Sequence, residues 1–123
     1  MPTSIQHLNN FESNKKAIEI LKLSGKERPN DWIVTMTFYA AVHLIESIIV
    51  DNIGRVTENH TERKNWINKI SVLKRIRSEY LTLEFNSRKS RYMCIKFTDN
   101  DVVSNLNLLD KIENALLNKK GSR

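Results

Sequence analysis

The chain has 123 residues, with 20 Lys and Arg against 14 Asp and Glu and a formal charge of +6, and 40% of it is hydrophobic. That length builds one hydrophobic core and is short for two, so residues 1–123 read as a single domain. The single cysteine, Cys94, excludes an internal disulfide framework and a multi-cysteine zinc site; a reducing, cytoplasmic setting is the expectation, and no secretory signal is expected in opening residues that lack a basic stretch followed by an apolar run.

Three glycines and two prolines punctuate the chain. Gly25, Gly54 and Gly121 each follow an apolar-periodic stretch, where glycine commonly ends a helix, and Pro2 and Pro29 precede such stretches. The fold expected is all-α, a small four- to five-helix up-and-down bundle. The first helix is predicted over residues 3–24, with Ile5, Leu8, Phe11, Ile18 and Leu21 along one face. After the loop 25–29, Asn30 or Asp31 is expected to cap a second helix reaching Ile53.

This second helix is apolar nearly all round and must be surrounded, by its own bundle or by a partner subunit. Residues 32–50 are long enough to raise the question of a membrane span. Glu46 near the middle, with His43, Thr35, Thr37 and Ser47, makes a buried core helix the expectation and a membrane partner not.

Residues 54–60 are predicted as a loop, with His60 at or just before the cap of a short helix over 61–69. A longer helix is predicted over 71–91, carrying Val72, Leu73, Ile76, Tyr80, Leu83 and Phe85, and residues 92–97 read as a connector. Thr98 or Asp99 is expected to cap a last helix with Val102, Leu106, Leu109, Ile112 and Leu116 as its stripe, closing near Lys119, Lys120 and Gly121.

Charge is concentrated in one region. Residues 55–96 hold eleven bases and four acids, whereas residues 31–54 hold no base. A concentrated basic face attracts phosphate, so RNA or a nucleotide is the leading class of partner; the other reading is a solvated surface. A DNA reader would need an exposed recognition helix, and the stripe Leu73, Ile76 and Tyr80 leaves one face of that helix for it.

Two groups carry possible chemistry. Arg55 and His60 are separated by four residues. An Arg and a His converging on one phosphodiester cleave RNA without metal: the His moves protons and the Arg stabilises the developing charge. The same residues also fit the mere start of a helix. Arg88 and Arg91 are three apart on one helix face beside Tyr92, and so suit a phosphate and a stacked base, or ion pairs inside the bundle. His43 and Glu46 form a lone His-x-x-Glu pair, either a site or a satisfied polar pair in the core; one such pair closes no metal site, and no cofactor is expected. Cys94, between Met93 and Ile95, reads as a small packed residue.

In order, Asp31-Trp32, the run Phe38-Tyr39-Ala40-Ala41-Val42-His43-Leu44-Ile45-Glu46, His60-x-x-Arg63-x-x-Trp66, Tyr80-x-x-Leu83, Ser87-Arg88-x-x-Arg91-Tyr92 and Phe97-Thr98 resemble the HEPN superfamily. These are small helical-bundle domains of prokaryotic nucleotide-binding, toxin–antitoxin and defence systems. The resemblance spans residues 7–118. It implies a four- or five-helix bundle, usually dimeric, that handles RNA or nucleotides. Many members are metal-independent endoribonucleases with an Arg-x4–6-His motif shared across a dimer cleft; others lack the motif and bind. On this resemblance Arg55 and His60 are the catalytic pair, and Arg63, Arg88, Arg91 and Tyr92 bind phosphate or nucleic acid. A homodimer is implied, with a protein partner, an antitoxin or effector, as the alternative ligand. Val56 follows the Arg where the family ribonucleases place a polar residue, and the motif lies earlier in the bundle than theirs, which marks a non-standard branch.

Overall fold

The computed structural model describes residues 3–23, 29–93 and 96–117, Tyr92 by its backbone alone. Among them the chain forms six helices and no strand: α1 (Ser4–Lys22), α2 (Asn30–Ile53), α3 (His60–Lys69), α4 (Ser71–Lys74), α5 (Arg77–Tyr92) and α6 (Asp99–Leu117). The all-α expectation holds. The expected helix ends at Gly25 and Gly121, the loop 25–28 and the packing of Cys94 lie outside the described residues.

Thr3 opens α1 with a reciprocal box: its hydroxyl accepts from the Gln6 N–H at 3.1 Å, and the Gln6 side chain accepts from the Thr3 N–H at 2.8 Å. The buried face of α1 is His7, Phe11 and Ile18. Ile5, expected on this face, is exposed. At about 100° per residue it lies roughly 120° round the helix from Phe11. Lys15 then bonds Glu113 at 2.8 Å, tying α1 to α6.

The centre of the molecule is α2, which packs against α1, α5 and α6. Most of its apolar surface is therefore covered within one chain, with Trp32 and Tyr39 left exposed. By length and composition α2 passes for a membrane span, but 72% of its most apolar window is buried inside the molecule. Thr37 and Ser47 donate to the carbonyls of Ile33 and Leu44, at 2.7 and 2.6 Å, so their burial leaves no hydroxyl unmatched. The cap differs from expectation: Pro29 occupies the N-cap with no side-chain bond. Asn30 instead donates to the Phe97 carbonyl at 2.9 Å and to Asp99 at 3.1 Å, fastening α2 to the entry of α6. Gly54 ends α2 in the left-handed region, φ 80°, where glycine alone is unstrained.

The predicted helix over 71–91 is broken. Leu73 and Ile76 bond back to Ile70 and Leu73 in tight three-residue turns, so the apolar residues 70, 73 and 76 stack on one side. Arg77 then donates to Asn68 at 2.8 Å across the corner. After the break α5 runs with Tyr80, Leu83 and Ser87 buried, whereas Phe85, expected with them, is exposed beneath Lys89, and Asn86 donates to Asn105 of α6 at 3.1 Å. Thr98 caps α6 in a second reciprocal box, with Asp101 as its partner.

The core has two parts. The larger gathers Phe11, Phe38, Leu44, Tyr80, Leu83 and Ile112, among others; the smaller joins Ile18, Ile33, Val34 and Val102. Fully burying one such side chain is worth about 1.5–3 kcal/mol. Phe38 has ring neighbours in Tyr80, at 5.8 Å, and in His60, at 6.3 Å, so the base of the first turn of α3 rests on the core.

Candidate functional site

Asn59, not His60, caps α3: its side chain accepts from the Glu62 N–H at 2.8 Å. His60 is thus the first helical residue, and Arg63 and Lys64 follow it at the three- and four-residue spacing that shares a face. On α5, Glu84, Arg88 and Arg91 follow the same rule. The two faces meet, and His60, Lys64, Glu84, Arg88 and Arg91 line a cavity of ≈ 320 Å³. Three cations face one carboxylate there, so the cavity is net positive. Glu84 is buried, with Lys64 at 3.3 Å and Arg88 at 4.0 Å.

Behind the cavity stands Arg63, its side chain 11% exposed. Its Nε donates to Glu46 at 2.8 Å, and its Nη1 donates to His60 Nδ1 at 2.8 Å and to the Tyr80 hydroxyl at 3.3 Å. Glu46 also accepts from the Thr57 N–H at 3.1 Å and from the Thr57 hydroxyl. Burial opposes the charge on Arg63, and the bonds to Glu46 and Tyr80 outweigh it, so its pKa is raised. The buried charges are thereby paired and hydrogen-bonded to further partners, the condition under which charges survive in a core.

This arrangement settles the tautomer of His60. A guanidinium only donates, so His60 Nδ1 accepts and the ring proton sits on Nε2. Burial, then the charge of Arg63, holds the His60 pKa below its ordinary value. The imidazole is neutral and presents an N–H donor at Nε2, with no lone pair free there to take a proton.

The residues singled out from sequence divide accordingly. His60, Arg88 and Arg91 come together, and Arg63 stands beside them in the core rather than on the surface. Tyr92 ends α5, and its side chain lies outside the described residues. Arg55 does not reach His60 within the chain. It pairs with Glu62 at 2.5 Å and donates to the Val56 carbonyl at 3.1 Å. That bond holds the Glu62 carboxyl down at about 2. His43 and Glu46 share a helix face but part company. Glu46 turns to Arg63, whereas His43 Nδ1 meets His7 Nδ1 of α1 at 3.1 Å. Burial lowers the pKa of both histidines, so one neutral ring donates to the other. Among the described residues no group of three or more His, Cys, Asp and Glu is placed to hold a metal ion.

Lys64, read from sequence as part of the basic face, and Glu84, read as an ion-pair partner for Arg88 and Arg91, join the residues singled out as a site in lining the cavity. Their signal was a single helical turn: Lys64 lies four residues beyond His60, and Glu84 four before Arg88. No family model, curated protein or solved structure matches the chain.

Proposed function

We propose that the chain is an HEPN-like domain that binds RNA through its phosphates in the cavity between α3 and α5, as a cytoplasmic homodimer, and holds the strand without cutting it. The resemblance of the motif order supports the family. The convergence of Lys64, Arg88 and Arg91 on one cavity supports the phosphate ligand. One observation favours binding over cleavage: the bond from Arg63 to His60 Nδ1. Cleavage at the 2′-hydroxyl needs a base with a free lone pair or a protonated imidazole as acid. The bond to Arg63 leaves His60 a neutral donor, suited to a phosphate oxygen. Arg55, its charge matched by Glu62, contributes nothing to this cavity within one chain.

The test is binding of a short single-stranded RNA as salt is raised. Three cations engaging phosphates give a log–log slope of about −2. Arg88→Ala is expected to flatten the slope by about one third and to leave folding unchanged, since its side chain is 56% exposed. No binding at low salt would sink the reading and turn attention to a protein partner. Metal-independent cleavage abolished by both His60→Ala and Arg55→Ala would restore the endoribonuclease reading, with Arg55 delivered by a second subunit.

A further inference from the structure

A second cavity, ≈ 470 Å³, adjoins the first and shares Arg91 with it; its other walls are Asp31, Trp32, Thr35, Tyr39 and Ser90. We infer that it is a nucleobase subsite, which takes an unstacked base on Trp32 and Tyr39 while Arg91 and the neighbouring cations hold the phosphates on either side. The inference rests on the RNA reading above and narrows it to single strands.

The first ground is exposure without structural cause. Every other large apolar residue of helix α2 is buried or half-buried, yet Trp32 is 66% exposed and Tyr39 37%. They are seven residues apart, two turns, and so share one face. Two accessible aromatic rings on one face are what successive bases or one clamped base need.

The second ground is how Arg91 is set. Its Nη1 donates to the Tyr39 hydroxyl at 3.1 Å, and its guanidinium carbon lies 5.7 Å from the centre of the Tyr39 ring. Its Nε donates to the Ser87 carbonyl at 3.3 Å. These contacts place one cation at the boundary of both cavities, where a backbone phosphate joins a base to its neighbour.

The third ground is the charge of the second cavity. Asp31 belongs to it, and a carboxylate repels phosphate, so this cavity suits the uncharged part of a nucleotide. Its polar floor is already matched: Thr35 and Ser90 share a hydrogen bond at 3.1 Å, and Ser90 donates to the Asp31 carbonyl at 2.9 Å. Both hydroxyl protons are therefore already committed, and the aromatic walls supply stacking. A duplex keeps its bases stacked inside and has none to offer such a wall.

The experiment compares three probes at low ionic strength: a short single-stranded RNA, a ribose-phosphate strand of equal length lacking bases, and the RNA duplex. Trp32→Ala should weaken binding of the RNA about 5- to 150-fold, the span for loss of one stacked base. It should leave the baseless strand unchanged, and Trp32→Phe should keep most of the affinity. Arg88→Ala should weaken both strands. The duplex should bind the native protein no better than the baseless strand. If the native protein binds neither strand, the RNA reading itself fails. If it binds both strands but Trp32→Ala loses nothing on RNA, or loses equally on the baseless strand, the base subsite is overturned and the phosphate cavity stands. If Trp32→Ala instead converts a dimer to a monomer with RNA affinity unchanged, the aromatic face is an interface between copies, which also overturns it.

Discussion

Arg63 is where core and cavity meet, and its partners make its substitution costly. Arg63→Met leaves Glu46, 4% exposed at the side chain, without its cation. Removing one member of a buried pair costs about 3–5 kcal/mol. Urea unfolding should show that loss, and adding Glu46→Gln to the same chain should recover part of it. A loss under about 1 kcal/mol would mean that water reaches Glu46 and the pair is not buried in solution. Glu84 offers the opposite experiment. It is the one carboxylate among the cations of the cavity between α3 and α5. Glu84→Gln keeps the shape and removes the repulsion, so RNA should bind several-fold more tightly in the same titration. Weaker binding would mean that Glu84 orients Lys64, which it meets at 3.3 Å, more than it repels the ligand.

The helices depend on local devices of modest size, and α3 shows how one of them serves the site. Asn59→Ala removes the acceptor for the Glu62 N–H. A lost N-cap of this kind costs about 1 kcal/mol. Because His60 is the first residue after the cap, the first turn should fray with it. RNA affinity is then expected to fall together with the thermal midpoint; a fall in stability with affinity intact would detach His60 from the ligand. Several of these devices were readable beforehand. Gly54 and Thr98 act as their residue types require. The break at residues 75–76 was not readable, because an apolar spacing of 70, 73 and 76 suits both an α-helix and a tighter turn. Nor was the role of Asn30, whose acceptors belong to Phe97 and Asp99, far along the chain.

For the whole molecule the histidines set the response to acid. Burial comes first among the causes that hold His7, His43 and His60 below the ordinary value of 6.5. The unfolded chain then takes up protons before the folded one does. Stability is full above about pH 6.5 and falls as pH drops through that value, until the folded-state pKa values are reached. Thermal midpoints measured from about pH 7.5 down to about pH 5.5 should decline. Replacing both members of the touching pair, His7→Leu with His43→Leu, should flatten the decline and leave the neutral-pH midpoint little changed, since both polar partners go together. A decline of undiminished slope would assign the protons elsewhere. Because α2 is covered by α1, α5 and α6, the fold draws its stability from within one chain. The single chain should therefore stay folded when the proposed dimer is diluted apart, and the midpoint should rise with protein concentration only by what dimer formation adds; unfolding on dilution would show that the fold depends on association.

The sequence by itself determined the helical class, the central place of α2 and several helix ends. Each is a property of one segment: a period, a cap, a glycine, an apolar helix with nowhere to go but inside. Only the tertiary structure decided which faces meet. Glu46 finds Arg63 and His7 finds His43 because of how α1, α2 and α3 are rotated against one another. No spacing along the chain encodes those rotations, which follow from packing all the side chains at once. The chemistry turned on them. An arginine from within α3, buried by that packing, chose the tautomer of His60, and the meeting of α2 with α5 set Tyr39 beside Arg91. Local periodicity specifies a helix from a dozen neighbouring residues; a site needs atoms dozens of residues apart within about 3 Å, and only the folded core holds them there.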